Sequence, residues 1–316
     1  MVSATPHAPK IVVIGSYAIA LVMDVERLPC EGETLLARDF RQTYGGKGSN
    51  MAVQAARLGA EIHFVGRVGG DDFGRDFAAL LAREGIGADH LRITSGQATG
   101  AGFIIKSRSG SNMITVDMGA NQALDRADLA AAEATIAACQ VMLIQLEIRL
   151  DTALHAAALG RRHGLRMVFN PAPAQDLSRL DLSSIDVLTP NETEARACLG
   201  LPGDDPIPEA ALGRRLLALG PRAVAITLGE RGALLLTPDG EWAIPAPQVQ
   251  TLDSTGAGDA FNAGLATALA EGADLPTAVR FANVTAALST IRRETVHSYH
   301  RRDDVDAALA LIEEGR

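Results

Sequence analysis

The chain has 316 residues, 47% apolar and 21% charged, the proportions of a folded globular protein. Disorder and fibrous structure are excluded. With 29 Lys and Arg against 38 Asp and Glu, the formal charge is −9, which disfavours nucleic acid and anionic membrane as partners but leaves room for an anionic ligand in a locally positive pocket.

The elements follow in chain order. Lys10 to Gly15 (KIVVIG) is a β-branched apolar run ended by Gly, the pattern of a buried strand feeding a loop. Residues 49–58 have helical spacing and stop at Gly59; EIHFVGRVG is a strand, and 74–84 is a helix stopped by Gly85. VMLIQLE (141–147) is an apolar strand ending in a carboxylate. Thr152 to His163 is a helix capped by Gly164, LRMVFNP (165–171) a strand, and DVLTPNETEA (186–195) a strand running into a helix. Residues 202–208 (PGDDPIP) form a surface loop. AVAITLGERGALLL (223–236) is strand, Gly turn, strand, and Ala257 to Glu271 is a helix launched from a Gly-rich turn.

Strands alternating with helices predict an α/β fold with a mostly parallel sheet covered on both faces. Residues 17–43 and 98–118 are strand-like with no helix between their runs, and predict a small extra β layer. The whole chain, 1–316, is expected to be one domain carrying that layer. Glu147, Asn170, Asn191 and Gly229 fall at the carboxyl ends of predicted strands, where open α/β sheets bind ligands. Cys30, Cys139 and Cys198 are too scattered for a disulfide framework, and no Cys/His group has zinc spacing. The opening MVSATPHAPK lacks a signal-peptide core and no apolar run reaches the ~18 residues of a membrane span, so the expected location is the cytoplasm.

The most informative segment is DSTGAGDAFNAG (253–264). Gly256, Ala257 and Gly258 have minimal side chains, and the helix behind them offers free N–H groups and the positive end of its dipole. That combination binds phosphate. Asp259 sits at the helix start. It could simply cap the helix, but a carboxylate beside an anion site is electrostatically awkward unless it accepts a proton from a hydroxyl attacking that phosphate. No GxxxxGK[ST] is present; Gly45-Gly46-Lys47-Gly48 lacks that spacing.

With both glycine-rich segments in view, the chain resembles the ribokinase-like (pfkB) family of carbohydrate kinases, nearest its ribokinase branch. The likeness runs collinearly through GGKGSN (45–50), TGAGF (99–103), GAN (119–121), QLE (145–147), NPAPA (170–174), TPNETEA (189–195), TLGERG (227–232) and DSTGAGDAFNAG (253–264). The resemblance implies a three-layer α/β sandwich with a β lid, and transfer of the γ-phosphate of ATP to a sugar hydroxymethyl group. It makes Asp259 the catalytic base, with Gly256, Ala257 and Gly258 as the anion hole. Gly46, Lys47, Asn50 and Glu147 become sugar contacts, and Asn191, Thr227, Gly229, Gly232, Gly258 and Asn283 nucleotide contacts. Glu194 would hold Mg2+ through water, and Asp253, Thr255 and Ser298 are candidate ligands for K+. Homodimerisation through the lid is also implied.

The chain departs from the family twice. Where ribokinases carry Gly-Ser-x-Asn-x-Asp after the first strand, it has Ala18 and Ala20, which speaks against strict ribose specificity and for a less hydroxylated, larger or more apolar acceptor. Tyr17 and Asp24 are candidates to compensate, and Met23 and Met113 candidates to line an apolar pocket. The second departure is Glu294, where the family usually has Gly and where a side chain is expected to crowd the cation loop. The competing readings are a nucleoside or deoxysugar kinase of the same fold and a non-catalytic sugar-binding protein. A dinucleotide oxidoreductase fails because no G-x-G-x-x-G follows the first strand.

Overall fold

The computed structural model describes residues 8–109 and 111–314; residues 1–7, which carry most of the reading of the N-terminal leader, lie outside the described residues. In chain order the elements are β1 (Lys10–Ile14), β2 (Ala18–Val25), β3 (Asp39–Gly45), α1 (Lys47–Arg57), β4 (Glu61–Gly69), α2 (Asp72–Arg83), β5 (Gly87–Thr94), β6 (Gly100–Ser107), β7 (Asn112–Asp117), α3 (Arg126–Ala131), α4 (Glu133–Ala137), β8 (Val141–Gln145), α5 (Leu150–Arg162), β9 (Arg166–Asn170), β10 (Val187–Leu188), α6 (Glu192–Cys198), α7 (Glu209–Leu217), β11 (Ala223–Thr227), β12 (Ala233–Thr237), β13 (Gly240–Ile244), α8 (Ala257–Ala270), α9 (Leu275–Ser289) and α10 (Arg302–Glu313).

A nine-stranded sheet in the order β13-β12-β11-β10-β9-β8-β1-β4-β5 forms the centre, parallel except for the antiparallel β11–β12 and β12–β13 pairings at one edge. Alternation along β1 splits the core: Ile11 and Val13 pack towards α1, α2, α8 and α9, whereas Val12 and Ile14 pack towards α3 to α7. Both faces are therefore covered, as the continuous apolar runs require. The expected helix 49–58 begins two residues earlier, so Lys47 and Gly48 belong to the first turn of α1 and not to a loop.

The second sheet has the order β3-β2-β6-β7 and is built from the two stretches without helices. Its register places Thr43, Ala20, Gly102 and Val116 in one row. Period-2 alternation puts Arg41, Val22, Ile104, Asp24 and Lys106 on that same face and Phe40, Met23, Ile105, Phe103 and Met113 on the other. Thr43 donates a hydrogen bond to Glu294 at 3.0 Å and Lys106 lies 3.6 Å from Asp253, so the first face looks onto the Gly-rich turn. Met23 and Met113 lie on the outer face, 37% and 45% exposed, and line neither pocket nor core.

Candidate active site

The site is built where strands end and helices begin. Helix α8 opens at Gly256, whose φ of 80° is left-handed and whose Cβ, were there one, would lie 2.7 Å from the Tyr299 hydroxyl. Ala257 N–H is turned back onto the Ser254 carbonyl at 3.2 Å. The N–H groups of Gly258 and Asp259 follow in the first helical turn, which has no intrahelical acceptors for them. A Cβ at Gly258 would meet open space, so its backbone is approachable. Asn262 donates to the Gly258 carbonyl at 2.8 Å and accepts from Thr189 at 2.6 Å, while Asn170 donates to the Thr189 carbonyl at 2.8 Å. These bonds wire the ends of β9 and β10 to the start of α8.

Asp259 is 5% exposed. Its Oδ2 accepts from Asn50 Nδ2 at 2.8 Å, and Lys47 Nζ is 3.8 Å from Oδ1. Oδ1 has no hydrogen-bond partner, and neither has Asn50 Oδ1. Burial pushes the carboxyl pKa up to about 6, against the pull of Lys47 and Asn50, with Glu147 and Glu194 adding to the rise. For Lys47, burial opposes the charge, but Asp259, Glu147 and Glu194 outweigh it and hold the pKa above the usual lysine range. Lys47, Asn50, Glu147, Glu194 and Asp259 thus share one electrostatic neighbourhood.

Glu147 has a local task. Its Oε2 accepts from Ser16 Oγ at 2.6 Å and from the Lys47 N–H at 2.7 Å, while Ser16 Oγ also receives Gln145 Nε2 at 3.1 Å. The carboxylate caps the N-terminus of α1 and so sets Lys47 and Asn50, one and four residues into that helix. Ser16 and Gln145, both 0% exposed, were not singled out from sequence; a buried polar pair at two adjacent strand ends was the available signal. Gly46, with φ 85°, serves α1 as well: a Cβ there would lie 2.7 Å from Ala18 N. Its glycine is already required by the crossing of α1 over the β1–β2 connection.

Asn191 and Glu194 form a reciprocal capping box at the start of α6, each backbone N–H bonded at 2.8 Å to the other's side chain. Asn191 pairs with Thr227, and Gly229 (φ 59°, with open space at a notional Cβ) and Gly232 (φ 93°, a notional Cβ 2.1 Å from the Ile244 carbonyl) shape the next turn. Asn283 is 4% exposed and donates to the Ile244 carbonyl at 2.8 Å, joining α9 to the chain after β13.

The side chains proposed for a monovalent cation each have hydrogen-bond partners within the protein. Asp253 Oδ1 accepts from the Thr255 N–H at 3.0 Å and hydroxyl at 2.6 Å. Its Oδ2 accepts from the Glu294 N–H at 3.1 Å and faces Lys106. Ser298 is 0% exposed and donates to the Thr295 carbonyl at 2.8 Å. Glu294 does not crowd this loop, because its side chain leaves towards β3, meeting Thr43 at 3.0 Å and Arg41 at 3.4 Å. It is the one non-glycine with positive φ, 70°, among the described residues. Neither proposed compensation for Ala18 and Ala20 is realised: Tyr17 stacks on Phe77 in the core, and Asp24 is held by Arg41 at 2.5 Å.

A buried carboxylate in the first turn of a helix whose Gly258 and Asp259 amides lack intrahelical acceptors suits the transfer of a phosphoryl group to an alcohol. The pfkB family carbohydrate kinase model matches residues 8–302, and the chain belongs to that family; it is a carbohydrate kinase, a phosphotransferase with an alcohol group as acceptor. Among its relatives are a ribokinase of Haemophilus influenzae, 37% identical over 92% of this chain and 95% of that one, and a deoxyribokinase of Salmonella typhi, 35% identical over 96% and 99%. The structure of Arabidopsis thaliana ribokinase complexed with ribose and ATP superposes with a TM-score of 0.83 at 29% identity, covering 95% of this chain and 98% of that chain.

Proposed function

We propose that the enzyme transfers the γ-phosphoryl group of ATP to the hydroxymethyl group of a pentose-type sugar, with Asp259 as the base. The observation that carries this is the lone Oδ1 of Asp259: a buried carboxylate oxygen without a hydrogen-bond partner, in a carboxyl raised to about 6. An alcohol O–H is the donor that satisfies it. As the alcohol oxygen bonds to the γ-phosphorus, the bond to the ADP oxygen breaks and the alcohol proton passes to Oδ1, then to solvent. Late deprotonation suffices in a loose transition state. Asn50 fixes the other carboxylate oxygen, Lys47 balances charge, and the first amides of α8 face the oxygens of the transferring group. Asn191, Thr227, Gly229 and Gly232 border the nucleotide side, and Asn283 shapes its far wall. Glu194 fits Mg2+ held through water, since one oxygen caps α6 and its charge is felt at Asp259. A bound Mg2+ would offset phosphate charge there.

The named relatives and the ribose–ATP complex support the choice of donor and acceptor class. A deoxysugar or nucleoside acceptor is the second reading. It is favoured by the lid face over the site, where Ala18, Ala20, Val22, Gly102, Ile104 and Val116 are apolar and Thr43, Arg41 and Lys106 are already engaged. We also propose that residues 1–316 act as one unit, that it works as a homodimer, and that it resides in the cytoplasm. Free thiols at Cys30, Cys139 and Cys198 fit that compartment, and among the described residues no helix is long and apolar enough to cross a membrane. The test is Asp259→Asn: kcat should fall by roughly 10²–10⁴ while acceptor binding, followed by calorimetry, persists. Unchanged kcat would refute the base.

A further inference from the structure

We infer that Lys106 is a built-in monovalent cation for the phosphoryl site, delivered by the lid, so that phosphoryl transfer needs no dissolved K+. The inference rests on the kinase reading above.

Asp253 lies three residues before Gly256 and holds the turn that opens α8. Its carboxylate is largely buried, accepting from the Thr255 N–H and hydroxyl and from the Glu294 N–H. A buried anion next to an incoming polyphosphate needs a positive counterpart. In this molecule that counterpart is the Lys106 ammonium, 3.6 Å from Asp253 Oδ2, with side chains 32% and 15% exposed. Thr255 and the Glu294 N–H already bond the two carboxylate oxygens, and a K+ held beside Asp253 would lie against the like charge of the Lys106 ammonium.

Lys106 belongs to β6, in the sheet over the site, and not to the body that carries Asp253. The charge therefore arrives with the lid. Two further lid residues make the same crossing: Thr43 bonds Glu294 Oε2, and Arg41 pairs with Oε1. The Glu294 N–H in turn bonds Asp253 Oδ2. Lid position and the charge state of the turn are thus joined through one carboxylate. Lys106 acts through Asp253 and is a positioning residue.

The test is salt dependence. Wild-type enzyme, assayed for ADP release with a saturating pentose, should turn over equally, within about twofold, in KCl and in tetramethylammonium chloride, because its cation is covalently attached. Lys106→Gln should lose about tenfold or more of kcat in tetramethylammonium and regain most of it in K+ or NH4+, ions small enough to enter where the ammonium was. Lys106→Arg should stay indifferent to K+. A second readout is thermal: K+ should raise the midpoint of the Gln variant but not that of wild type, since only the variant gains a binding site for it. A wild type that loses tenfold or more without K+ overturns the inference, as does a Gln variant at full rate in tetramethylammonium. A slow Gln variant that neither K+ nor NH4+ restores also overturns it, because Lys106 would then serve lid closure and not charge. Absence of ATP-dependent turnover in every salt would instead strike the kinase reading beneath it.

Discussion

At the scale of single residues, Asp259 carries opposed demands. Catalysis wants an ionised, under-solvated oxygen; stability does not. Its pKa is raised by burial from 3.8 to about 6, so the folded state holds the proton more tightly than the unfolded one. The stabilisation linked to that proton is complete below about pH 4 and is lost as pH rises through about 6. Asp259→Asn should therefore be more stable than wild type at pH 8, by about 1–3 kcal/mol, with the gain vanishing near pH 4. If the proposed base is Asp259, wild-type kcat/KM should rise with unit slope up to about pH 6, where its carboxyl ionises. Denaturant unfolding at the two pH values, beside a pH–rate profile, checks both; a less stable Asn variant at pH 8 would refute the account.

Glu294 poses a second residue-scale question. A side chain at φ 70° costs about 1–2 kcal/mol, and the structure returns bonds to Thr43 and Arg41. Glu294→Gly removes both the strain and the bonds, so stability should change by less than about 1 kcal/mol. Acceptor KM should rise several-fold, because β3 loses its hold on the body. Thermal unfolding with steady-state kinetics decides; a collapse in stability would mean the residue is purely structural. The sequence could show that Glu294 was anomalous, because a motif names the residue type expected. It could not show where a flexible side chain goes, since that depends on strand β3, 251 residues away at Thr43.

At the scale of elements, α1 shows why glycines are easily misread. GGKGSN suggests backbone opened for a ligand. In the fold, a Cβ on Gly48 would lie 2.4 Å from Ser16 N, so its glycine lets α1 rest on the end of β1. Gly48→Ala should destabilise by about 1–3 kcal/mol and also disturb Ser16, which bonds both Glu147 and the Gly48 N–H. Lys47 should then lose its placement, with kcat/KM falling more than stability alone explains. Wild-type kinetics in the Ala variant would dismiss this coupling. The strands around the site were legible because parallel, doubly buried strands read as unbroken apolar runs. β5 and β13 were not: they lie at the edges of the large sheet, half-exposed, and GADHLRIT or GEWAI carries no such run. β10 is only two residues long, yet the apolar step in DVLTPNETEA placed a strand there, running into α6 as the structure has it.

At the scale of the molecule, the lid sheet has two faces with different obligations. The inner face is committed to the body through Thr43, Arg41 and Lys106. The outer face carries Met23 at 37%, Phe40 at 53%, Phe103 at 50% and Met113 at 45% exposure, side by side by register. Sequence showed only that strands stood apart from the helix alternation; which methionine pointed where required the pairing register, because a slip of one residue exchanges the faces. A contiguous apolar patch on a sheet with open edges is unfavourable for an isolated soluble chain, and a second copy meeting it lid to lid would cover both patches at once. Sedimentation velocity at micromolar concentration should then report a dimer. Phe103→Glu, at the middle of the outer face, would place a carboxylate against its symmetry mate and should yield a monomer. Its inner-face neighbours Gly102 and Ile104 are untouched, so ATP and acceptor binding should survive. A wild type that sediments as a monomer, or a Phe103→Glu variant that remains dimeric, would remove the outer face from the assembly.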